Sequence, residues 1–72
     1  MKTQYVLFCL ENNKYLFLDH NALQVFQFTS DYIQAIQFAT KDDALKFLED
    51  NISNIKEAKG VTHFTTREWF CI

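Results

Sequence analysis

The chain has 72 residues, enough for one domain and too few for two, and a chain this short buries only about 60% of its unfolded surface. Apolar residues make up 49% and aromatics 17%, with one Gly and no Pro, which excludes disordered, collagen-like and loop-dominated classes. Seven basic and nine acidic side chains leave a net charge of −2, too mild to recruit nucleic acid or a membrane by field alone.

In chain order, Gln4 to Leu10 (QYVLFCL) is rich in β-formers and nearly apolar on both faces. The apolar part, Tyr5 to Leu10, stops at Glu11. It is shorter than the hydrophobic region of a secretion signal and far short of a membrane span, so a cytoplasmic protein is expected. Glu11-Asn12-Asn13-Lys14 is a polar tetrad of turn formers, and Tyr15 to Leu18 resumes the apolar run, so the two runs read as a hairpin. Asp19-His20-Asn21 breaks the pattern again before Leu23 to Phe28 (LQVFQF) returns as a third strand with partial alternation. Thr29-Ser30-Asp31 supplies candidate caps for a short helical turn carrying Tyr32, Ile33, Ile36 and Phe38, while the same residues also suit an extended segment.

The clearest element is Thr40 to Gly60, TKDDALKFLEDNISNIKEAKG. Thr40 with Asp43 resembles a capping box, and Asp42 and Asp43 oppose the positive end of the helix dipole. Leu45, Leu48, Ile52 and Ile55 recur at spacings of three and four, flanked by Ala44 and Phe47, which predicts an amphipathic helix. Asn51, Ser53 and Asn54 are weak helix formers, so the end falls anywhere between Asn51 and Gly60. At the far end, Lys56 and Lys59 would suit the last turn and Gly60 the left-handed cap. Val61 to Thr66 and Trp69 to Ile72 then read as extended, one strand bent around Arg67-Glu68.

The order β-β-β-α-β predicts a single α+β domain over 1–72, a two-layer sandwich in which a three-stranded meander is followed by one amphipathic helix and a C-terminal strand. One helix returning the chain would lay the last strand parallel to the first in a mixed sheet. Cys9 and Cys71 would then sit toward the same end. In a reducing compartment they read as two small buried apolar residues.

Ala35-x-x-Phe38-x-Thr40-x-x-x-Ala44-x-x-Phe47-Leu48, preceded by a hairpin of the form YVLF…NNKYLF, is similar to small uncharacterised proteins encoded by phages and mobile elements of low-GC Gram-positive bacteria. The likeness spans Tyr5 to Asn51. It implies a phage or prophage accessory protein, of a kind that often binds and disables a host component, defence nucleases of the CRISPR type included, and is seldom an enzyme. It carries no active-site residues.

Neither His20 nor His63 has a second ligand type at metal-binding spacing, and Cys9, Cys71, His20 and His63 would form a zinc site only by coincidence of folding. A Cys–His–Asp set drawn from Cys9 or Cys71, His20 and Asp19 would lack the mass needed for a water-excluding pocket. No cofactor, metal or catalytic residue is therefore assigned.

The surplus of apolar surface points elsewhere. One helix covers one face of a sheet, yet the first two strands send apolar side chains to both. Buried aromatics occupy about 150–250 Å² each, so three uncovered rings would exceed what a soluble monomer usually exposes. Either the Tyr32–Phe38 segment and the aromatic tail wrap over that face, or a homodimer or another protein docks there. The expected function is thus a non-enzymatic protein-binding module directed at a host protein. The candidate interface is Tyr5, Tyr15, Phe26, Phe28, Phe64, Trp69 and Phe70, with Trp69 and Phe70 at its centre. The alternative is a single-stranded nucleic-acid binder that stacks bases on Tyr5, Tyr15, Phe26, Phe28, Phe64 and Trp69. Against it, the seven cations are scattered among carboxylates and form no basic stripe. Glu11, Asp19 and Glu68 as phosphate mimics would be a weaker variant of the inhibitor reading.

Overall fold

The computed structural model describes residues 2–19 and 25–71, with the side chains of Lys2, Val25, Phe70 and Cys71 excepted. Four strands, β1 (Lys2–Cys9), β2 (Lys14–Asp19), β3 (Val25–Thr29) and β4 (Phe64–Cys71), and one helix, α1 (Lys41–Lys59), follow in the order β1-β2-β3-α1-β4. The strands form one sheet in the order β3-β2-β1-β4, and the fold is the expected α+β arrangement. Residues Leu23 and Gln24 of the predicted third strand lie outside the described residues.

The sheet is antiparallel throughout, not mixed. β4 runs against β1 over its whole length, from Lys2↔Cys71 to Cys9↔Phe64. The reason lies in residues 30–40. Let the end holding the β1–β2 turn be the top: β1 and β3 rise, β2 and β4 descend. The chain does not enter the helix from the top of β3. It makes a turn at residues 32–34 and then descends in extended form, Phe38 bridging Tyr5 in antiparallel sense. This extra crossing delivers Thr40 to the bottom, α1 climbs back, and β4 must descend. The short-helix alternative for Ile36 to Phe38 is thereby set aside.

The descending strap fills a gap. β1 and β2 pair only beside their turn, at Phe8↔Tyr15 and Cys9↔Lys14. Below that they part, and the strap bonds to both. The Ile36 N–H donates to the Leu16 carbonyl (3.1 Å), while Phe38 and Tyr5 exchange two bonds of 2.8 and 2.9 Å. Backbone groups that the splayed strands would otherwise leave unpaired are satisfied by this insertion.

The cysteine expectation also falls. Cys9 and Cys71 occupy opposite ends of the β1–β4 ladder, about 23 Å apart at the rise of a strand. That is several times the Cα separation a disulfide allows. β4 itself pairs without interruption through Arg67 and Glu68, so there is no bend, and Val61 to His63 is a connector, not a strand.

Helix α1 begins as its sequence requires. The Thr40 hydroxyl accepts from the Asp43 N–H at 3.1 Å, satisfying one orphan donor of the first turn. The weak formers in its middle do not end it, partly because the Asn51 amide donates to the Phe47 carbonyl (2.8 Å) instead of competing for a turn. It ends at Gly60, φ 71°, whose N–H bonds the Lys56 carbonyl at 2.8 Å. A Cβ at Gly60 would meet nothing within 4 Å, so only the backbone conformation resists substitution. Gly60→Ala is expected to cost about 1 kcal/mol and Gly60→Asn much less, since Asn tolerates the left-handed region. Urea denaturation of the two variants checks this.

The buried stripe of α1 is turned relative to the sequence expectation. Ala44 and Ile55 are fully buried, Phe47, Leu48, Asn51 and Ile52 are half-buried, and Leu45 is 43% exposed. Leu7 and Leu16 complete the core beneath the helix, with Tyr5, Phe26, Phe28, Ile36, Phe38, Phe47, Leu48, Val61 and Phe64 packed around it. Phe28 and Phe64 stack with centroids 6.3 Å apart although their strands are opposite edges of the sheet. Three strand spacings amount to about 14 Å, so the edges curl toward each other on the helix side.

Candidate functional site

Residues directly opposite in an antiparallel pair share a face. On the helix side stand Tyr5 with Glu68, Leu7 with Thr66, and Cys9 with Phe64; on the other side stand Gln4 with Trp69, Val6 with Arg67, and Phe8 with Thr65. Tyr15, opposite Phe8, joins the second group. This register sorts the seven aromatics expected at an interface. Tyr5, Phe26, Phe28 and Phe64 pack into the core under the helix, and Phe26 meets Phe47 edge-on at 6.3 Å. Tyr15 and Trp69 stand on the helix-free face. Phe70 pairs with Thr3 in the β1–β4 ladder, and its side chain lies outside those described.

The helix-free face is largely covered, and the strap covers it. Val6 and Ala35 are buried there, at 1% and 5% exposure. Around them the rings form a chain of edge-to-face contacts. Phe8 meets Tyr15 at 5.1 Å, Tyr15 meets Tyr32 at 6.3 Å, and Tyr32 meets Trp69 at 5.1 Å. The circuit continues through Arg67, whose guanidinium carbon lies 3.8 Å from the centroid of the Phe8 ring. Arg67 is also two residues from Trp69 on the same side of β4.

Gln37 ties the strap down. Its amide nitrogen donates to the carbonyls of Tyr32 (2.9 Å) and Ala35 (3.1 Å), and its oxygen accepts from the Trp69 indole N–H (2.6 Å). Upstream, the Thr29 hydroxyl accepts from the Asp31 N–H and the Asp31 carboxylate from the Ile33 N–H, which shapes the turn and leaves Tyr32 and Ile33 outermost. Tyr32 is 42% and Ile33 65% exposed. Tyr32, Gln37 and Arg67 are members of this surface outside the seven aromatics expected at an interface, although the Tyr32–Phe38 segment is one of the expected covers of this face and does lie over it. For Arg67 the signal was present, since i and i+2 share a strand face and Trp69 follows at that spacing. For Tyr32 and Gln37 the sequence offers the covering role only as one alternative to a docked partner, because nothing in it decides where the strap lies.

The remaining polar candidates are elsewhere. Glu11 fastens the β1–β2 turn to the connector before β4. One carboxylate oxygen accepts from the N–H groups of Thr62 (2.7 Å) and His63 (2.9 Å), with the exposed His63 ring at 3.4 Å. Those two N–H groups, His63 first, hold the Glu11 carboxyl below its ordinary range. Such a group stabilises the fold fully above its unfolded pKa, and the contribution is lost as pH falls through the depressed folded value. Glu11→Ala is therefore expected to melt below the wild type at neutral pH, with the two melting curves converging as the solution is acidified through and below the ordinary carboxylate range. Cys9, fully buried at the top of β1, is about 17 Å from Asp19 at the foot of β2, five residues below Cys9's neighbour Lys14. The two cannot form one catalytic set, and His20 lies outside the described residues.

Among the described residues no three His, Cys, Asp or Glu side chains gather in a metal-holding group. No helix there is long and apolar enough to cross a membrane. Comparison of the chain with protein-family models, curated proteins and solved structures finds no significant match.

Proposed function

We propose that this protein is a non-enzymatic protein-binding module, encoded by a phage or prophage, that modulates or inhibits a host protein in the bacterial cytoplasm. A defence nuclease of the CRISPR type is one candidate target. The supporting observation is the grouping of Trp69, Tyr32, Tyr15 and Arg67 on one helix-free face, with the exposed Ile33 next to Tyr32 in the chain. Trp, Tyr and Arg are the residue types that dominate the energetics of protein interfaces, and they do so where rigid aromatics are already in place before the partner arrives. Here the ring contacts and the Gln37 hydrogen bonds hold them in place. Action by steric occupation of a host surface follows from such a patch and needs no catalytic group. Arg67 is the one cation among the described side chains of this face, too little positive charge for a surface that tracks a phosphate backbone.

The test is affinity capture from host lysate with the wild type, Trp69→Ala and Tyr32→Ala in parallel. A specific protein retained by the wild type and lost by both folded variants supports the reading. Equal retention by all three, or none by any, counts against it. Light scattering after gel filtration distinguishes a heterologous partner from a homodimer.

A further inference from the structure

The chemistry of the patch narrows what it takes up, and this step rests on the docking role proposed above. We infer that the surface formed by Arg67, Trp69, Tyr32 and Ile33 receives a peptide segment of another protein that presents a carboxylate next to an aromatic or large aliphatic side chain.

Arg67 carries the argument. Its guanidinium carbon sits over the Phe8 ring, 3.8 Å from the centroid, so the ring takes up one side of the group. Ring stacking uses the π face and leaves the N–H groups at the edge, where a carboxylate is bound side-on. Among the described residues no carboxylate pairs with it. Glu68, its neighbour in sequence, falls on the helix side of β4 by the same register that puts Arg67 on this one. The charge is thus exposed, and among the described residues no ion pair meets it. Beside it the Trp69 indole is held by Gln37 and by Tyr32, and Ile33, next to Tyr32 in the chain, is 65% exposed. A partner side chain laid on Tyr32 would find apolar contact beside Trp69, which is two residues from Arg67 on the same side of β4. An acidic residue flanked by an apolar one matches both features at once. A single cation and rings committed edge-to-face to each other suit that ligand better than a polyanion.

The experiment selects a displayed random-peptide library on the immobilised full chain, on Trp69→Ala, and on Arg67→Met, which keeps an unbranched apolar stem over Phe8. One wild-type-selected peptide is then titrated in solution, read through the fluorescence of Trp69, the only tryptophan in the chain. The expected result is enrichment of Asp or Glu adjacent to an aromatic or Leu, Ile or Met. Binding should weaken about ten- to a hundredfold in Arg67→Met and fall with added salt. Replacing the peptide's acid by its amide should then cost Arg67→Met nothing further. Peptides that need Trp69 but carry no acidic preference, or bind Arg67→Met equally, overturn this inference and leave the docking role standing. Failure to select any peptide, or selection undiminished in a folded Trp69→Ala, overturns both. Arg67-dependent binding of a labelled thymidine oligonucleotide tighter than that of the peptide would make the ligand a nucleic acid. Self-association abolished in Arg67→Met would make it a second copy. Either result sinks the acidic-peptide assignment.

Discussion

Ile55→Ala should destabilise the protein by about 2–5 kcal/mol, whereas Leu45→Ala should stay within about 0.5 kcal/mol of the wild type. Both residues belong to the apolar stripe written in the helix sequence, and on that pattern alone they are equivalent. The structure separates them: Ile55 is fully buried against Leu7, Leu16 and Ala44, and Leu45 is largely solvated. Deleting the Ile55 branch removes apolar burial and leaves a cavity that a rigid helix over a curled sheet cannot close. A domain of this size has a total stability on the order of 4–11 kcal/mol, so the variant would lose a large part of it. Urea unfolding followed by circular dichroism measures the difference directly. Equal losses at the two positions would mean that α1 is rotated from the orientation described.

The second large effect concerns binding. Trp69→Ala should weaken partner binding by at least about 2 kcal/mol, roughly thirtyfold, the range in which interface hot spots fall. Phe26→Ala should lower stability while leaving the affinity of the folded fraction unchanged, because Phe26 packs against Phe47 beneath the helix. Some loss of stability accompanies Trp69→Ala as well, since the indole touches Tyr32 and bonds Gln37. The comparison is therefore made at a temperature where both variants are folded by circular dichroism. Calorimetric titration against the captured partner reads it. Unchanged affinity in Trp69→Ala, or a matching loss in Phe26→Ala, would remove the helix-free face from consideration.

These two predictions draw on different kinds of information. The β1–β2 hairpin, the third strand, the helix start at Thr40 and its stop at Gly60 are local matters. Each is decided by turn formers, capping groups or a backbone conformation that the residues carry with them. The apolar surplus on the first two strands was also legible, because alternation in a strand fixes what goes to each face. Of the candidate surface, Tyr15 and Trp69 could be named for the same reason. Tyr5, Phe26, Phe28 and Phe64 could not be told apart from them, since an aromatic reads identically whether a helix or solvent lies above it.

The sequence by itself thus determined the elements, their order and the α+β class, because those depend on contacts within a few residues. Only the tertiary structure decided the direction of β4, the separation of Cys9 from Cys71, which side of α1 faces inward, and how much of the second face stays open. The direction of β4, the cysteine separation that follows from it, and the cover of the second face depend on the strap, 30–39. Its residues satisfy a turn, a helix start or an extended segment equally well on local grounds. What selects the descending path is distant: the unpaired backbone of Tyr5 and Leu16 where β1 and β2 part, and the indole N–H of Trp69, 32 residues from Gln37. Interactions at that range leave no periodic trace in a sequence, so the one segment that orients the rest of the molecule is the one whose local pattern says least.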